Sequence, residues 1–549
     1  MDSFKPMLFT CMKKYSKEQF VKDVVSGIIV AIIALPLSIA LALASGVGPE
    51  PGLYTAIVAG FLISFFGGST VQIAGPTAAF ATIVAGIIAT DGMDGLIVAT
   101  IMAGIILIVL GIVRAGALIK FIPYTITTGF TAGIAVTILI GQFKDFFGVT
   151  YMNGETPIDS MEKLKAFFVN INTFNWQAMM VGLICLLVLI FWPKISAKIP
   201  GSIVAILVGI GLVKGLGLNV KTIGDLYELS GKLPSISVPG LSLSIIRKEL
   251  PNAFTIAILA AIESLLSAVV ADGMVNSKHK SNQELIAQGI GNIGSVLFGG
   301  IPATGAIART AANIKNGGRT PIAGMVHSIT LVLILVVLMP YAALIPMPCI
   351  AAILFQVAYN MCQWRPFVRL VKYAPKSDII VLVLTFILTI VFDLVIAIEW
   401  GMIVACILFI KRMSEETHVS GWTYKGDDEE FVDDLRPVAK EIRVFEITGP
   451  LFFGVSDILA ETIDVKDYTK VLVIRMRSVP AIDVTALRSL KDLVVRAKRK
   501  GVVVVFSHVN EQPKKMMEKA DFINEVGYDN FQPNIDRALD RAEEILKLE

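Results

Sequence analysis

Phe66–Phe80 (FGGSTVQIAGPTAAF) and Phe298–Asn313 (FGGIPATGAIARTAAN) are the two stretches that decide how this chain is read. Each opens on Phe-Gly-Gly, passes through a Pro/Thr-containing breaker, and continues as a short apolar helix inside a strongly hydrophobic region. A helix that starts in mid-membrane aims unpaired N–H groups and roughly half a positive charge into the protein. Interrupted segments at corresponding places in two halves of a chain point to the binding site of a secondary transporter. Two such ends facing each other make an anion site that needs no metal and no cofactor. Gly-rich helix starts at the membrane surface would give the same local pattern.

Composition sets the class. Of the 549 residues, 55% are apolar and 17% charged, against about 25% charged in ordinary soluble domains. Mean hydropathy is +0.72, so most of the chain belongs in lipid. The net charge of +3 is too small to suggest nucleic acid. Cys11, Cys185, Cys349, Cys362 and Cys406 show no paired spacing, which argues against a disulfide framework or a metal site. The first apolar run begins near Val24 and is too long for the core of a cleavable signal.

Judged against about 20 residues per crossing, the apolar runs are Val24–Ala44, Leu53–Phe66, Leu96–Val113, Tyr124–Phe143, Trp176–Trp192 and Ile203–Leu218 in the first half. The second half offers Ala253–Ala271, Leu285–Phe298, Ile322–Met339, Ala343–Met361, Ile379–Phe392 and Val395–Ile410. With the short segments after Pro76 and Pro302 the reading is fourteen spans, a polytopic α-helical membrane protein. Lys5, Lys13, Lys14, Lys17 and Lys22 place residues 1–23 in the cytoplasm, because short cytoplasmic segments carry the basic residues. Fourteen crossings then put Arg114/Lys120, Lys194/Lys198, Lys278/Lys280, Lys315/Arg319, Arg365/Arg369/Lys372 and Lys411/Arg412 on the same side. Residues 24–412 form the membrane domain and 413–437 a charged linker. From 438 to 549 strand-like and helix-like segments alternate (IRVFEI, SDILAETI, KVLVIRM, TALRSLKDLVVRAKRKG, VVVVFSHV), the pattern of one small α/β domain on the cytoplasmic side.

Glu263 stands in an otherwise uncharged span. An ionisable group there costs several kcal/mol on even lenient scales, so it faces the protein interior and suits a proton carrier. A structural carboxylate bonded to a neighbouring helix is the bland alternative. Ser267, four residues on, shares its helical face. Arg309 lies inside the second interrupted helix, as a fixed cation behind an anion site, as a counter-ion for Glu263 or another buried acid, or as both. Thr77, Thr304, Ala78, Gly305 and Ala306 are small enough to admit a ligand to the backbone, although small residues also serve helix packing. Asp393 and Glu399 read as an external turn, and His279 as part of a solvated loop. No Walker A pattern appears, nor any catalytic triad or metal-ligand cluster. An enzyme is not expected.

The segments Ala34–Tyr54 (ALPLSIALALASGVGPEPGLY), AGPTAAF, Ala260–Met274 (AAIESLLSAVVADGM), Ser281–Thr310 and the C-terminal domain resemble the SulP anion permeases, relatives of prestin and pendrin, over nearly the whole chain. The resemblance implies seven plus seven inverted repeats split into core and gate domains, elevator-like motion, a homodimer, and a C-terminal STAS domain. By position it places the anion between Gly75, Pro76, Thr77 and Ala78 on one side and Thr304, Gly305, Ala306 and Arg309 on the other. Glu263 matches the family's acidic coupling position. Sodium-coupled bicarbonate members tend to have Asp there, and Thr where this chain has Ile307. The run IESLLSAVVADGM, with KHK and AIARTAAN downstream, is similar to bacterial dicarboxylate carriers of the family, and the same features occur in its sulfate permeases, so the resemblance leaves the substrate open. Within Met476–Leu490 (MRSVPAIDVTALRSL), Val484 replaces the phosphorylatable Ser that follows the Asp in soluble anti-sigma-factor antagonists, so docking or regulation is expected there rather than a phosphoswitch.

The expected function is proton-coupled secondary transport of a small inorganic or carboxylate anion (sulfate, dicarboxylate or bicarbonate) across the cell membrane, with a cytosolic partner for the STAS domain. Sodium-coupled symport, an anion channel or exchanger, and a receptor-like scaffold are the alternatives. No cofactor is implied.

Overall fold

Helices form where the apolar runs are, and local chemistry fixes where they start. The Ser16 side chain accepts from the Gln19 N–H at 3.1 Å and opens α1 (Lys17–Ala44), an N-cap of the usual kind. Gly48 and Pro49 open α2 (Pro49–Phe66), Pro being pre-set for the first helical turn. The chain then forms β1 (Ala74–Gly75), α3 (Ala81–Ile112), α4 (Tyr124–Gly141), α5 (Trp176–Ile195) and α6 (Gly201–Leu216). After these come α7 (Leu243–Val275), α8 (Ser281–Leu297), β2 (Thr304–Gly305), α9 (Ile307–Lys315), α10 (Ile322–Ala342), α11 (Met347–Cys362), α12 (Lys376–Val391) and α13 (Leu394–Glu415). The computed structural model describes residues 4–117, 122–152, 157–196, 199–229, 231–236, 242–392, 394–422, 438–455, 463 and 467–548.

Every apolar run of the sequence reading is helical. Seven helices among the described residues are both long and apolar enough to cross a membrane. α3 holds two of the expected segments: at Gly92 (φ 68, ψ −164) the backbone leaves helical geometry, separating a half-helix after Pro76 from the run that begins near Leu96. Glycine tolerates that positive φ without steric cost. α7 starts at Leu243, ten residues ahead of the apolar run, because Ser242 caps it by accepting from the Ile245 N–H. Within the polar stretch 150–175, Ser160–Val169 is also helical.

Helices approach closely where side chains are small, as in other membrane bundles. A Cβ on Gly104 of α3 would sit 2.8 Å from the Gly289 carbonyl oxygen of α8. The same holds between α1 and α10, where a Cβ on Gly27 would lie 2.8 Å from Val326 Cβ.

The chain divides into two compact units, residues 1–402 and 403–549. The second contains a five-stranded sheet in the order β3 (His418–Trp422), β4 (Ile442–Thr448), β5 (Val471–Ser478), β6 (Val503–Ser507) and β7 (Phe531–Gln532). β3 and β4 are antiparallel and the other neighbours parallel. α14 (Val484–Arg499) and α15 (Glu511–Lys519) bury Leu487, Leu490 and Met517 with Phe506 and Phe522. α16 (Ile535–Leu548) buries Ala538, Leu539 and Ala542 against Val471, Val473 and Val505. β3 lies inside the range 413–437 read as linker: its five residues pair with β4 from His418↔Thr448 to Trp422↔Val444, too short an alternation to separate from the flanking charges. Residues 423–437, most of SDILAETI, and Asp393 lie outside the described residues.

Candidate functional site

The two breakers are held in place by buried polar side chains of α8, Glu284 for the first and Asn292 for the second. Glu284, in the first turn of α8, has no solvent exposure. Its Oε2 accepts from the N–H groups of Gly68 (2.9 Å) and Ser69 (3.2 Å). Its Oε1 accepts from Gln72 Nε2 (3.0 Å), Gln288 Nε2 (3.0 Å) and Ser264 Oγ (3.3 Å). A buried carboxylate needs such partners to offset its lost hydration. The Phe-Gly-Gly segment is tied by this to α7 and α8. The second breaker is tied to α8 as well: Asn292 donates to the Ala303 carbonyl and accepts from its N–H, both at 2.8 Å.

Held so, the breakers pair with each other. β1 and β2 are antiparallel, with Ala74 opposite Gly305 and Gly75 opposite Thr304, and Ala306 N–H donates to the Ile73 carbonyl at 2.9 Å. Both chains then turn into helix, the first through Thr77 and the turn Ala78–Phe80, the second through Ala306 into α9. First-turn N–H groups of a helix have no intrahelical partner. The geometry brings the two helix starts together at the β1–β2 pair.

Arg309 sits behind this pair, 1% exposed. Its Nη2 donates to Ser38 Oγ at 3.1 Å and to the Pro76 carbonyl at 3.3 Å. Its Nε and Nη1 have no partner among the described residues. No acidic side chain forms an ion pair with it among them, so the counter-ion role for Glu263 is not what the structure shows. Buried guanidinium donors without partners are costly unless something anionic meets them. A Cβ on Gly75 would overlap the Arg309 guanidinium, which would have to leave its present position. Gly75→Ala is therefore expected to cost about 1–3 kcal/mol by overpacking and to lower uptake with it. Gly86→Ala, whose methyl meets nothing within 4 Å, is the control for a melting-temperature comparison.

Glu263 is half-buried on α7, and Thr77 Oγ1 donates to its Oε2 at 2.8 Å. Thr304 Oγ1 donates to the Ala260 carbonyl on the same helix at 3.2 Å. The acidic residue thus contacts the residue that opens the first half-helix. Ser267 is buried with its Oγ unpartnered among the described residues and makes no hydrogen bond to Glu263. Gly75, Pro76, Thr77, Ala78, Thr304, Gly305, Ala306, Arg309 and Glu263 therefore come together, while Ser267 stands apart.

His279 differs from its reading as a solvated loop residue. Its side chain is 8% exposed and its Nδ1 lies 2.7 Å from Asp272 Oδ2, a contact that closes the turn between α7 and α8. Sequence reasoning missed Glu284, Gln72, Ser38 and His327. Glu284 is signalled more weakly than Glu263: it lies in the polar turn SNQE at the edge of an apolar run, not within one. His327 is fully buried on α10 with neither ring nitrogen partnered among the described residues, and nothing local in VHSITLV marks it. In the second unit Asp483 caps α14, accepting from Ala486 N–H at 2.8 Å, and leaves Val484 72% exposed.

The family model described as the sulfate permease family matches residues 20–385, and the STAS domain model matches residues 436–538. The chain is 38% identical over 528 residues to YvdB of Bacillus subtilis (strain 168), covering 94% of this chain and 97% of that protein. It is 30% identical over 543 residues to the bicarbonate transporter BicA of Picosynechococcus sp., covering 95% and 94%. Among solved structures, SLC26A9 superposes with a TM-score of 0.86 at 18% identity, over 98% of this chain and 93% of that one. The transmembrane domain of a cyanobacterial BicA superposes with a TM-score of 0.62 at 28% identity, over 71% of this chain and 98% of that one.

Proposed function

Because this chain belongs to the sulfate permease family, a family of multi-pass membrane anion transporters, we propose that it is a proton-coupled carrier that holds its anion between the starts of the two half-helices. One observation carries this reading: a buried Arg309 with two unpartnered N–H-bearing nitrogens stands directly behind the β1–β2 pair. An anion seated there takes hydrogen bonds from first-turn N–H groups at Ala78 and Ile307 and charge from the guanidinium.

Coupling follows from Glu263 and Thr77. When the carboxylate is ionised, it holds the Thr77 hydroxyl as donor and repels an incoming anion through a water-poor medium. When it is protonated, the repulsion is gone and the carboxyl can donate to Thr77, freeing the hydroxyl to turn to the anion. Proton and anion therefore favour each other's binding, the reciprocity that symport requires. Ile307 is exposed at the start of α9 and offers no side-chain oxygen, which favours protons over sodium. An elevator-like motion, a homodimer, and a cytoplasmic N-terminus and STAS domain that docks a partner complete the proposal. Sulfate, dicarboxylate and bicarbonate all satisfy the donor set; the family's description supports the first and the BicA relative the last.

The test is uptake of radiolabelled sulfate, succinate and bicarbonate by the purified protein in liposomes. Saturable uptake of at least one, inhibited by the others in proportion to affinity, is expected. Uptake of none above protein-free liposomes rejects the reading.

A further inference from the structure

The chain between α11 and α12 is itself a helix, Trp364–Tyr373 (WRPFVRLVKY), and none of its residues is buried. Its placement is tightly constrained. Gln363 (φ 45) alone separates it from α11, and Ala374 and Pro375 separate it from α12. One to two residues reach only about 3.5 Å each, so both its ends stay at the ends of α11 and α12, which carry two of the apolar runs expected in the membrane. At 1.5 Å per residue its ten residues run about 15 Å along that level.

Its faces are divided. Arg365, Arg369 and Lys372 follow i, i+4, i+7 and form one stripe. Trp364, Val368 and Val371 follow the same spacing and form a neighbouring stripe, 46%, 41% and 41% exposed. Phe367 turns inward, its ring 5.2 Å from Phe386, and Pro366 and Leu370 are half-buried beside it. Among the described residues no acidic side chain pairs with the three cations; the Arg365 guanidinium lies 5.5 Å from the Trp364 ring. An exposed apolar stripe beside a basic one is what a helix lying in the headgroup region presents, with Trp at the level interfacial aromatics prefer. Zwitterionic lipid would cover the apolar stripe and leave three cations without counter-charge.

We propose that Trp364–Tyr373 is a binding element for anionic phospholipid, in which Arg365, Arg369 and Lys372 hold phosphodiester headgroups while Trp364, Val368 and Val371 sit at the acyl boundary. This stands independently of which anion is carried and of how transport is coupled.

The test uses the full chain in bilayers, with Trp364 kept and Trp176, Trp192, Trp400 and Trp422 replaced by Phe. Quenching by brominated phosphatidylglycerol is compared with quenching by brominated phosphatidylcholine at equal mole fraction. Near-surface basic residues each attract anionic lipid, and a preference of at least about tenfold for phosphatidylglycerol is expected from three. R365Q/R369Q/K372Q should bring the preference near unity, and R365K/R369K/K372R should restore it. Equal quenching by both lipids, quenching by neither, or a preference that survives the Gln substitutions overturns the proposal. Native mass spectrometry of the wild-type chain and the Gln variant, counting retained phosphatidylglycerol, makes the same comparison without tryptophan replacements. Equal counts overturn it too.

Discussion

Glu263→Gln is expected to abolish anion accumulation driven by an inward proton gradient, while counterflow of the same anion continues. Glutamine has nearly the shape of glutamate, and its amide can still meet Thr77 Oγ1, now 2.8 Å from Glu263 Oε2, so the protein should fold. What it lacks is a second protonation state. In the wild type, protonation removes the repulsion between carboxylate and anion, so anion affinity should rise as pH falls. Coupling free energies of this kind run about 1–3 kcal/mol, or roughly 5- to 150-fold in affinity. In E263Q the affinity should be flat with pH and locked near its tighter limit. Anion-binding isotherms at several pH values, with uptake in parallel, measure both. Proton-driven accumulation that persists in E263Q would remove Glu263 from the coupling.

Arg309→Ala is expected to weaken anion binding by roughly ten- to a hundredfold, the loss of a charge-assisted hydrogen bond worth about 1.5–3 kcal/mol. The guanidinium is held by Ser38 Oγ and the Pro76 carbonyl, and its other nitrogens are free to meet the anion. Arg309→Lys keeps the charge but not the planar fork, so it should bind better than R309A and worse than the wild type. Calorimetric titration of folded variants separates the three. Binding within twofold of wild type in R309A would place the anion elsewhere.

Much of this was legible in the chain. Glu263 and Arg309 stand out because charges in apolar runs are costly, and the paired Phe-Gly-Gly breakers announce two half-helices at one site. The antiparallel pairing of β1 with β2 was not legible, because two-residue strands leave no alternation to read. What else was not legible depends on residues remote in sequence. Ser38 reaches Arg309 across 271 positions, and Gln72 reaches Ser264 across 192. His327 is buried by helices that its own segment does not specify. Local signals also misled in three places. The charges at 365, 369 and 372 served as orientation marks and hid an amphipathic helix. His279 sat in a basic stretch that looked solvated, yet Asp272 draws it inward. β3 was lost among the charges that follow α13.

The most direct measurement is anomalous scattering from selenate, a heavy analogue of sulfate, in crystals of the protein grown with it. One strong peak is expected between the Thr77 and Ala306 helix starts, within hydrogen-bonding distance of an Arg309 nitrogen. A protein that carries selenate across liposomes yet shows its peak away from that point does not hold its anion between the two half-helices.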